Sequence, residues 1–463
     1  MSFTRRTFLV GAGTGLSALV LTACAVDAQP EPTPSPARTA TGIVPAPVSF
    51  ARSAWGKDSF ARGAVSYMAV GSTLEHRKAL SVPVLRRVFF AGEATSVDDA
   101  GTVSGARRSG GAAAAAVAEV GNANDRIAVI GAGAAGAEAA RLLTESGFDV
   151  VVIEARKRTG GRIDTVSGDG WPFPAELGAW RISAADVIAE LDRLEVSTAE
   201  LGAAAENAVF RSDTGESGSD AVGAAALQSA LAWAKQQARD DSVEASLDAS
   251  GAAAVAATSD TGEIPGDDLL AQYLATVATV YGADSSELSS WFTDGGTEFA
   301  RVVTGGFGAA IDDSLDGIET FLSTAVVGVA YSEERVSLRL GTGESLSVDR
   351  VVVTVPLGVL QDNSIDFDPL LPFEHRTAIA ALGMGTIDTV WLRFDEPFWT
   401  TDAVVWNLVG TDDEITTWYN LEPLTGEPVL VGMVGGSAAK RTELLTDDEL
   451  TTAVLQTLAP FAR

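Results

Sequence analysis

A glycine string set between two apolar runs constrains this chain more than any other feature. Residues 126–130 (Arg-Ile-Ala-Val-Ile) lead at strand length into Gly131-Ala132-Gly133-Ala134-Ala135-Gly136. A helix-like stretch (137–146) and Gly147 follow, and a second strand, 149–153, ends at Glu154. Together they make a β-α-β unit of about thirty residues. Gly131 permits the tight turn, Gly133 leaves bare backbone for a pyrophosphate with Ala135 beside it, and Gly136 lets helix and strand pack closely. The helix N-terminus presents free N–H groups and partial positive charge to phosphates. Glu154 stands where a carboxylate accepts hydrogen bonds from an adenosine ribose, which favours an unphosphorylated ribose. With strand, helix, second strand and acid all present, the string reads as a dinucleotide site.

The next residues say which dinucleotide. Ala155-Arg156-Lys157-Arg158-Thr159-Gly160-Gly161-Arg162 continues directly from Glu154, and Glu176-Leu177-Gly178-Ala179-Trp180 follows. Both resemble strings of the flavin amine oxidase family. The resemblance implies FAD rather than NAD. It places Arg156 and Arg162 as counter-charges for the pyrophosphate and Gly160-Gly161 where backbone closes over it. It puts Gly178, Ala179 and Trp180 beside the flavin ring, and Val326 at the adenine.

A second block resembles the family but stands out of order. Trp55-Gly56-Lys57 leads into Ala64-Val65-Ser66-Tyr67, and Arg87-Val88-Phe89-Phe90-Ala91-Gly92-Glu93 precedes Thr102, Val103 and a small-residue helix, 107–120. In the family this block closes the chain; here it precedes the glycine string. Residues 446–458 read as a helix, with Asp447, Asp448 and Glu449 in its first turn, and the chain stops soon after. Circular permutation accounts for both ends, with the old termini joined through 121–124. Domain termini are often close together and cuts in exposed loops are tolerated. The resemblance then implies that Trp55 walls the flavin, that Gly92 and Glu93 lie along the ribityl chain, and that the helix starting at Thr102-Val103 faces the pyrimidine edge.

The expected fold class is α/β: a Rossmann-type FAD-binding domain with a parallel sheet and a second, α+β substrate domain, in permuted order. Residues 1–24 read as an export and lipidation signal and 25–47 as a proline-rich linker. The moved part of the FAD domain is 48–120 and the β-α-β unit 121–182. A helical substrate region spans 183–300, the return to the FAD domain 301–360, and the substrate sheet with the terminal helix 361–463. A hairpin is expected at 324–346, turned at 332–335.

The resemblance also carries departures. The family lysine near the flavin aligns with Phe321, and the chain has no lysine between Lys235 and Lys440. The aromatic-cage tyrosines align with Val65 and Thr102, which puts Val65, Thr102 and Phe321 in the substrate pocket. Ala64 holds the position of a flavin-linking cysteine, so the FAD is expected to be non-covalent. Three readings stand: an FAD-dependent oxidoreductase of a small-molecule amine or amino acid, a related FAD enzyme with another substrate or acceptor, and a non-catalytic flavin-binding lipoprotein. No catalytic side chain is assigned.

Composition narrows the partners. The formal charge is -30, which excludes the basic surface that nucleic acid requires. Two histidines, His76 and His375, are too few for a multi-histidine metal site; both read as surface residues, and no metal is expected. Arg5-Arg6 precedes an apolar run, 8–21, too short for a comfortable membrane span. The run ends in Leu21-Thr22-Ala23-Cys24, which resembles a bacterial lipobox and contains the one cysteine of the chain. Six of the 17 prolines fall between 25 and 47, and alternating prolines favour an extended spacer. The expected location is therefore outside the cell membrane, with a lipid anchor on the outer face of the bacterial cytoplasmic membrane.

Overall fold

The computed structural model describes residues 42–168, 170–212, 217–219, 221–295 and 299–462. The twin-arginine string, Cys24 and most of the proline-rich stretch lie outside the described residues.

Two sheets organise the chain. The first has five parallel strands in the order Glu319–Phe321, Asp149–Ile153, Arg126–Ile130, Arg350–Val353, Val88–Phe90. Its central strands are unbroken apolar runs because both faces are covered. Ile127, Val129, Val150 and Val152 pack towards the helices Val103–Val120 and Ala134–Glu145. The alternate residues Ala128, Ile130, Val151 and Ile153 pack towards a four-stranded sheet. That sheet runs Ser345–Val348, Val336–Leu340, Val326–Tyr331, Asp366–Asp368. Its hairpin turns where the Ser332 N–H donates to the Arg335 carbonyl at 3.0 Å.

Strand Val88–Phe90 comes early in the chain, yet it forms an edge of the parallel sheet, with Val88 opposite Val351. Helix Val103–Val120 crosses Ala134–Glu145 so closely that a Cβ on Gly110 would lie 2.2 Å from the Ala135 carbonyl oxygen. The glycine and alanine run in that helix is what allows such an approach. A tight connection then leads straight into the first strand of the β-α-β unit, with the Asn122 N–H on Asp125 Oδ2 at 2.9 Å.

The second sheet has six strands: Ser49–Arg52, Ile387–Arg393, Val429–Gly435, Thr417–Asn420, Val405–Val409 and Ala208–Ser212. Helix Asp447–Leu458 shares a core with it, placing Leu450, Val454 and Leu458 among Trp406 and Trp418. Thr446 and Glu449 cap each other at its start.

Three expectations need correction. The 183–300 region holds helices Ala221–Ala234, Val243–Ser250, Ala252–Ala257 and Gly266–Tyr281, but also strands Thr198–Glu200 and Ala208–Ser212. Ala208–Ser212 pairs in parallel with Val405–Val409; an open strand edge there outweighs local alanine-rich helix preference. The two expected domains are lobes of one compact unit, since the chain passes repeatedly between the sheets. His375 is buried, not at the surface. Its helix, Phe373–Ala381, brings it against Phe90, and its Nε2 meets the Val82 carbonyl at 2.8 Å. Burial lowers its pKa. His76 caps its own helix, its Nδ1 accepting from the Thr73 N–H at 3.1 Å.

Candidate active site

The C-terminal ends of the parallel strands open on a cavity of about 1150 Å³. Ligands of open α/β sheets bind at that end. Gly92, Gly131, Glu154 and Thr354 line it from successive strand ends, while Ile387, Thr389 and Met433 reach it from the six-stranded sheet.

The glycines divide their work. Gly131 has φ +106 and faces Thr354, whose Oγ1 would lie 2.6 Å from an added Cβ. Gly92 flanks the same Thr354 from the other side, with φ +135. At Gly133 an added Cβ would come into ordinary contact with the Gly160 carbonyl at 3.7 Å, and its bare backbone lines the cavity. Ala135, also in the wall, follows in the first turn of Ala134–Glu145. Gly136 does not line the cavity; a Cβ there would lie 1.9 Å from the Gly131 carbonyl oxygen. Its role is to bring helix and loop together.

Every other residue expected at the cofactor lines this cavity: Trp55, Glu93, Thr102, Val103, Glu154, Ala155, Arg156, Gly161, Arg162, Gly178, Ala179, Trp180 and Val326. Glu154 is buried and already accepts from the Ala132 N–H at 2.8 Å and the Arg156 N–H at 2.7 Å. Thr102 caps Val103–Val120, accepting from the Gly105 N–H at 2.9 Å, and turns that helix N-terminus to the cavity. Trp55 donates from Nε1 to the Leu177 carbonyl at 3.1 Å, and its ring lies against Gly178.

The two expected phosphate arginines are already paired. Arg156 holds Asp58 at 2.7 Å, and Arg162 holds Glu93 at 2.9 Å and the Ala64 carbonyl at 2.7 Å. Both also line the cavity, so their charge there is partly offset by Asp58 and Glu93. Glu93 lies at the centre of a buried network that the sequence alone does not disclose. It accepts from Ser66 Oγ at 2.6 Å and the Gly101 N–H at 2.9 Å, and Ser66 is held by Arg77 at 2.7 Å. Burial by itself would raise its carboxyl, but Arg162, Arg77 and the Ser66 hydroxyl outweigh burial and hold its pKa low.

One expected pocket residue is elsewhere. Phe321 ends an edge strand, is 41% exposed and does not line the cavity. Its carbonyl accepts from the Glu154 N–H at 2.8 Å, so it belongs to the parallel sheet and not to the substrate side. Val65 and Thr102 do line the cavity. Among the described residues no lysine does; Thr389 lines it with Oγ1 on the Leu177 carbonyl at 3.2 Å.

Sequence reasoning missed Arg181, although it directly follows the Glu176–Trp180 string. Its guanidinium stands in the cavity wall, over the rings of Phe299 at 4.3 Å, Tyr419 at 5.0 Å and Trp180 at 5.2 Å. It donates to Tyr419 Oη at 2.5 Å, and burial lowers its pKa. No carboxylate among the described residues pairs with it. A lone arginine in an otherwise apolar string was the signal available.

Comparison with known proteins agrees with this geometry. The family model for flavin containing amine oxidoreductases matches residues 37–118 and 134–462. The chain belongs to that family. It is 29% identical over 362 residues to polyamine oxidase 4 of Oryza sativa subsp. japonica, covering 72% of each chain. It is 27% identical to probable polyamine oxidase 4 of Arabidopsis thaliana, covering 71% of this chain and 69% of that one. A putrescine oxidase structure with bound putrescine shares the fold at TM-score 0.51 and 21% identity, over 73% of this chain and 82% of that one.

The cavity fits the cofactor that membership implies. It is lined from both sheets, it has bare backbone at Gly133, and two helices, Val103–Val120 and Ala134–Glu145, begin at its wall. The protein is an FAD-dependent oxidoreductase acting on amines. The cofactor, when bound, supplies the acceptor for hydride from the carbon beside an amine nitrogen.

Removing the central carboxylate tests the network. Glu93→Gln leaves buried Arg77 and Arg162 without their counter-charge and is expected to cost about 3 kcal/mol of stability, read from chemical denaturation at pH 7. Because the folded pKa of Glu93 is depressed, its contribution is present above the ordinary carboxylate range and lost as pH falls. The gap between wild type and Glu93→Gln should therefore close below about pH 4; an equal gap at pH 3 and pH 7 would contradict this role.

Proposed function

We propose that the amine oxidised here carries a carboxylate, so that the substrate is an amino acid. One observation carries this reading: Arg181 presents a guanidinium to the cavity with no acidic partner among the described residues. A partly buried cation without a counter-charge is costly, and an incoming carboxylate relieves that cost with bidentate hydrogen bonds. Aromatic faces from Phe299, Trp180 and Tyr419 hold the guanidinium plane in one orientation. The substrate carboxylate docks on Arg181, and the apolar wall of Trp55, Ile387 and Met433 excludes water from the reacting carbon. A diamine or polyamine substrate is the second reading, favoured by the names of the relatives.

Flavin bleaching under anaerobic conditions separates the two. Amino acids should bleach the bound flavin and putrescine or spermidine should not. Arg181→Met should lower kcat/KM for the best amino acid by about 10- to 100-fold, chiefly through KM. Efficient bleaching by polyamines and none by amino acids would overturn this reading.

We infer also where the chain resides and how its order arose. The protein is exported by a twin-arginine signal and held at the outer face of the cytoplasmic membrane by lipid on Cys24. The support is sequence alone: Arg5-Arg6, the apolar run and the single cysteine at a lipobox position. Among the described residues no helix is long and apolar enough to cross a membrane. Cys24→Ser should move the protein from the detergent-soluble membrane fraction to the released fraction; an unchanged distribution would refute the anchor.

Residues 48–120 are a block moved from the end of the family order to its front. Support comes from strand Val88–Phe90 at the edge of the parallel sheet and from Ser49–Arg52 at the edge of the six-stranded sheet. It also comes from Val44, Phe50 and Phe461 sharing one core, so that the two sequence ends of the fold are neighbours. A chain reordered to start near 122, with 462 linked to 48, should fold and bind FAD like the natural one. Failure of that chain to bind FAD while the natural order succeeds would count against the permutation.

A further inference from the structure

Behind Trp55, on the side away from the cavity, two carboxylic acids meet in a buried place. Asp388 lies in strand Ile387–Arg393, whose neighbours Ile387 and Thr389 line the cavity; the alternation of a strand sends Asp388 to the other face. Asp388 is 3% exposed. Its Oδ1 accepts from Ser53 Oγ at 2.8 Å and from the Trp55 N–H at 3.0 Å. Its Oδ2 is buried and finds no donor, and the neighbouring Glu443 side chain helps to raise its carboxyl. Glu443, also buried, follows helix Gly436–Thr442 and accepts from the Gly56 N–H at 2.6 Å and the Lys57 N–H at 3.4 Å. The fit is tight: a Cβ on Gly56 would lie 2.8 Å from Glu443 Oε2.

A buried carboxylate oxygen without a donor, facing a second carboxyl, is satisfied only when a proton sits between them. The charged groups around the pair do not replace that proton. Lys57 places its ammonium on the Glu443 main-chain oxygen. Arg52 spends its guanidinium on the carbonyls of Thr442 and Leu445 and on Asp447.

We propose that Asp388 and Glu443 share one proton, and that this proton fastens segment 53–57, with Trp55, against the wall of the flavin cavity. Asp388 is thereby a positioning residue: it touches no substrate, and it acts through the Trp55 main chain. Loss of the proton sets two negative charges side by side in a dry site and pushes the segment away. Trp55 then loses its seat against Gly178 and Leu177, and the cavity loses a wall.

The pH range follows from the carboxyl itself. Burial, then the charge of Glu443, raise Asp388 to about 7, against the donors Trp55 and Ser53, which lower it. A carboxyl raised on folding stabilises the fold fully below its unfolded pKa, and that contribution is lost as pH rises through about 7. The hold on Trp55 is therefore firm in mild acid and released in mild base.

The test uses the full chain with FAD and reads affinity and melting, not turnover. In wild type, the FAD Kd should rise by about tenfold from pH 6 to pH 8, and the melting temperature of the FAD-free protein should fall over the same range. Asp388→Asn supplies a permanent N–H to Glu443 and keeps an oxygen for Ser53 and Trp55, so both profiles should flatten. Glu443→Gln should flatten them too, and it carries the test if Asp388→Asn does not fold. A wild-type profile that is already flat, or the same slope in wild type and in both variants, would overturn the proposal.

Discussion

The buried carboxylate of Glu93 holds the architecture together. It joins Ser66 and Gly101, which precede the glycine string, to Arg162, which follows it. Arg77 closes the network from a short helix through Ser66 and the Ala94 carbonyl. Without Glu93, buried Arg77 of the early block and half-buried Arg162 from beyond the glycine string would meet with nothing to balance them. With it, the same cations fix where residues 64–102 sit on the cavity. Strand pairing at Val88–Phe90 sets the coarse position of the block, and the charge network sets the fine one.

That arrangement changes how the cavity meets an anionic cofactor. Arginines that sequence strings suggest as counter-charges line the cavity but are paired with Asp58 and Glu93. Gly133 lines it with bare backbone, and two helices start at the wall, one capped by Thr102. Arg181 is the exception. It sits in the cavity wall among aromatic rings, with no acid beside it among the described residues. On the opposite face of the same wall, Asp388 holds the main chain of Trp55 and Glu443 that of Gly56 and Lys57. The two sides of one strand thus do different work, one facing the cavity through Thr389 and the other holding its aromatic wall through Asp388.

The dinucleotide unit was legible because its requirements are local. Tight turn, bare backbone and close helix packing each ask for glycine at a fixed offset, and Gly131, Gly133 and Gly136 stand at those offsets. The hairpin near 332–335 and the helix ending at Leu458 were legible for the same reason, from turn and capping residues. Phe321 shows where such reading stops. Its place in the sheet depends on pairing with Asp149–Ile153, which no nearby residue encodes, and the resemblance set it in a pocket that it does not line. His375 looked like a surface residue within a polar string, and only packing of its helix on Phe90 buried it.

By itself, then, the sequence determined the local chemistry of the site: a glycine-lined strand end, an acid after it, and small residues where helices must touch. Tertiary structure alone decided which charges are spent and which are free. Arg156, Arg162 and Arg181 are equivalent as letters, but distant partners pair the first two and leave the third to the cavity. The same holds for Asp388 and Glu443, ordinary acids until folding brings them together away from water. Conformational needs are written residue by residue along the chain, whereas the energy of a charge depends on everything the fold packs around it.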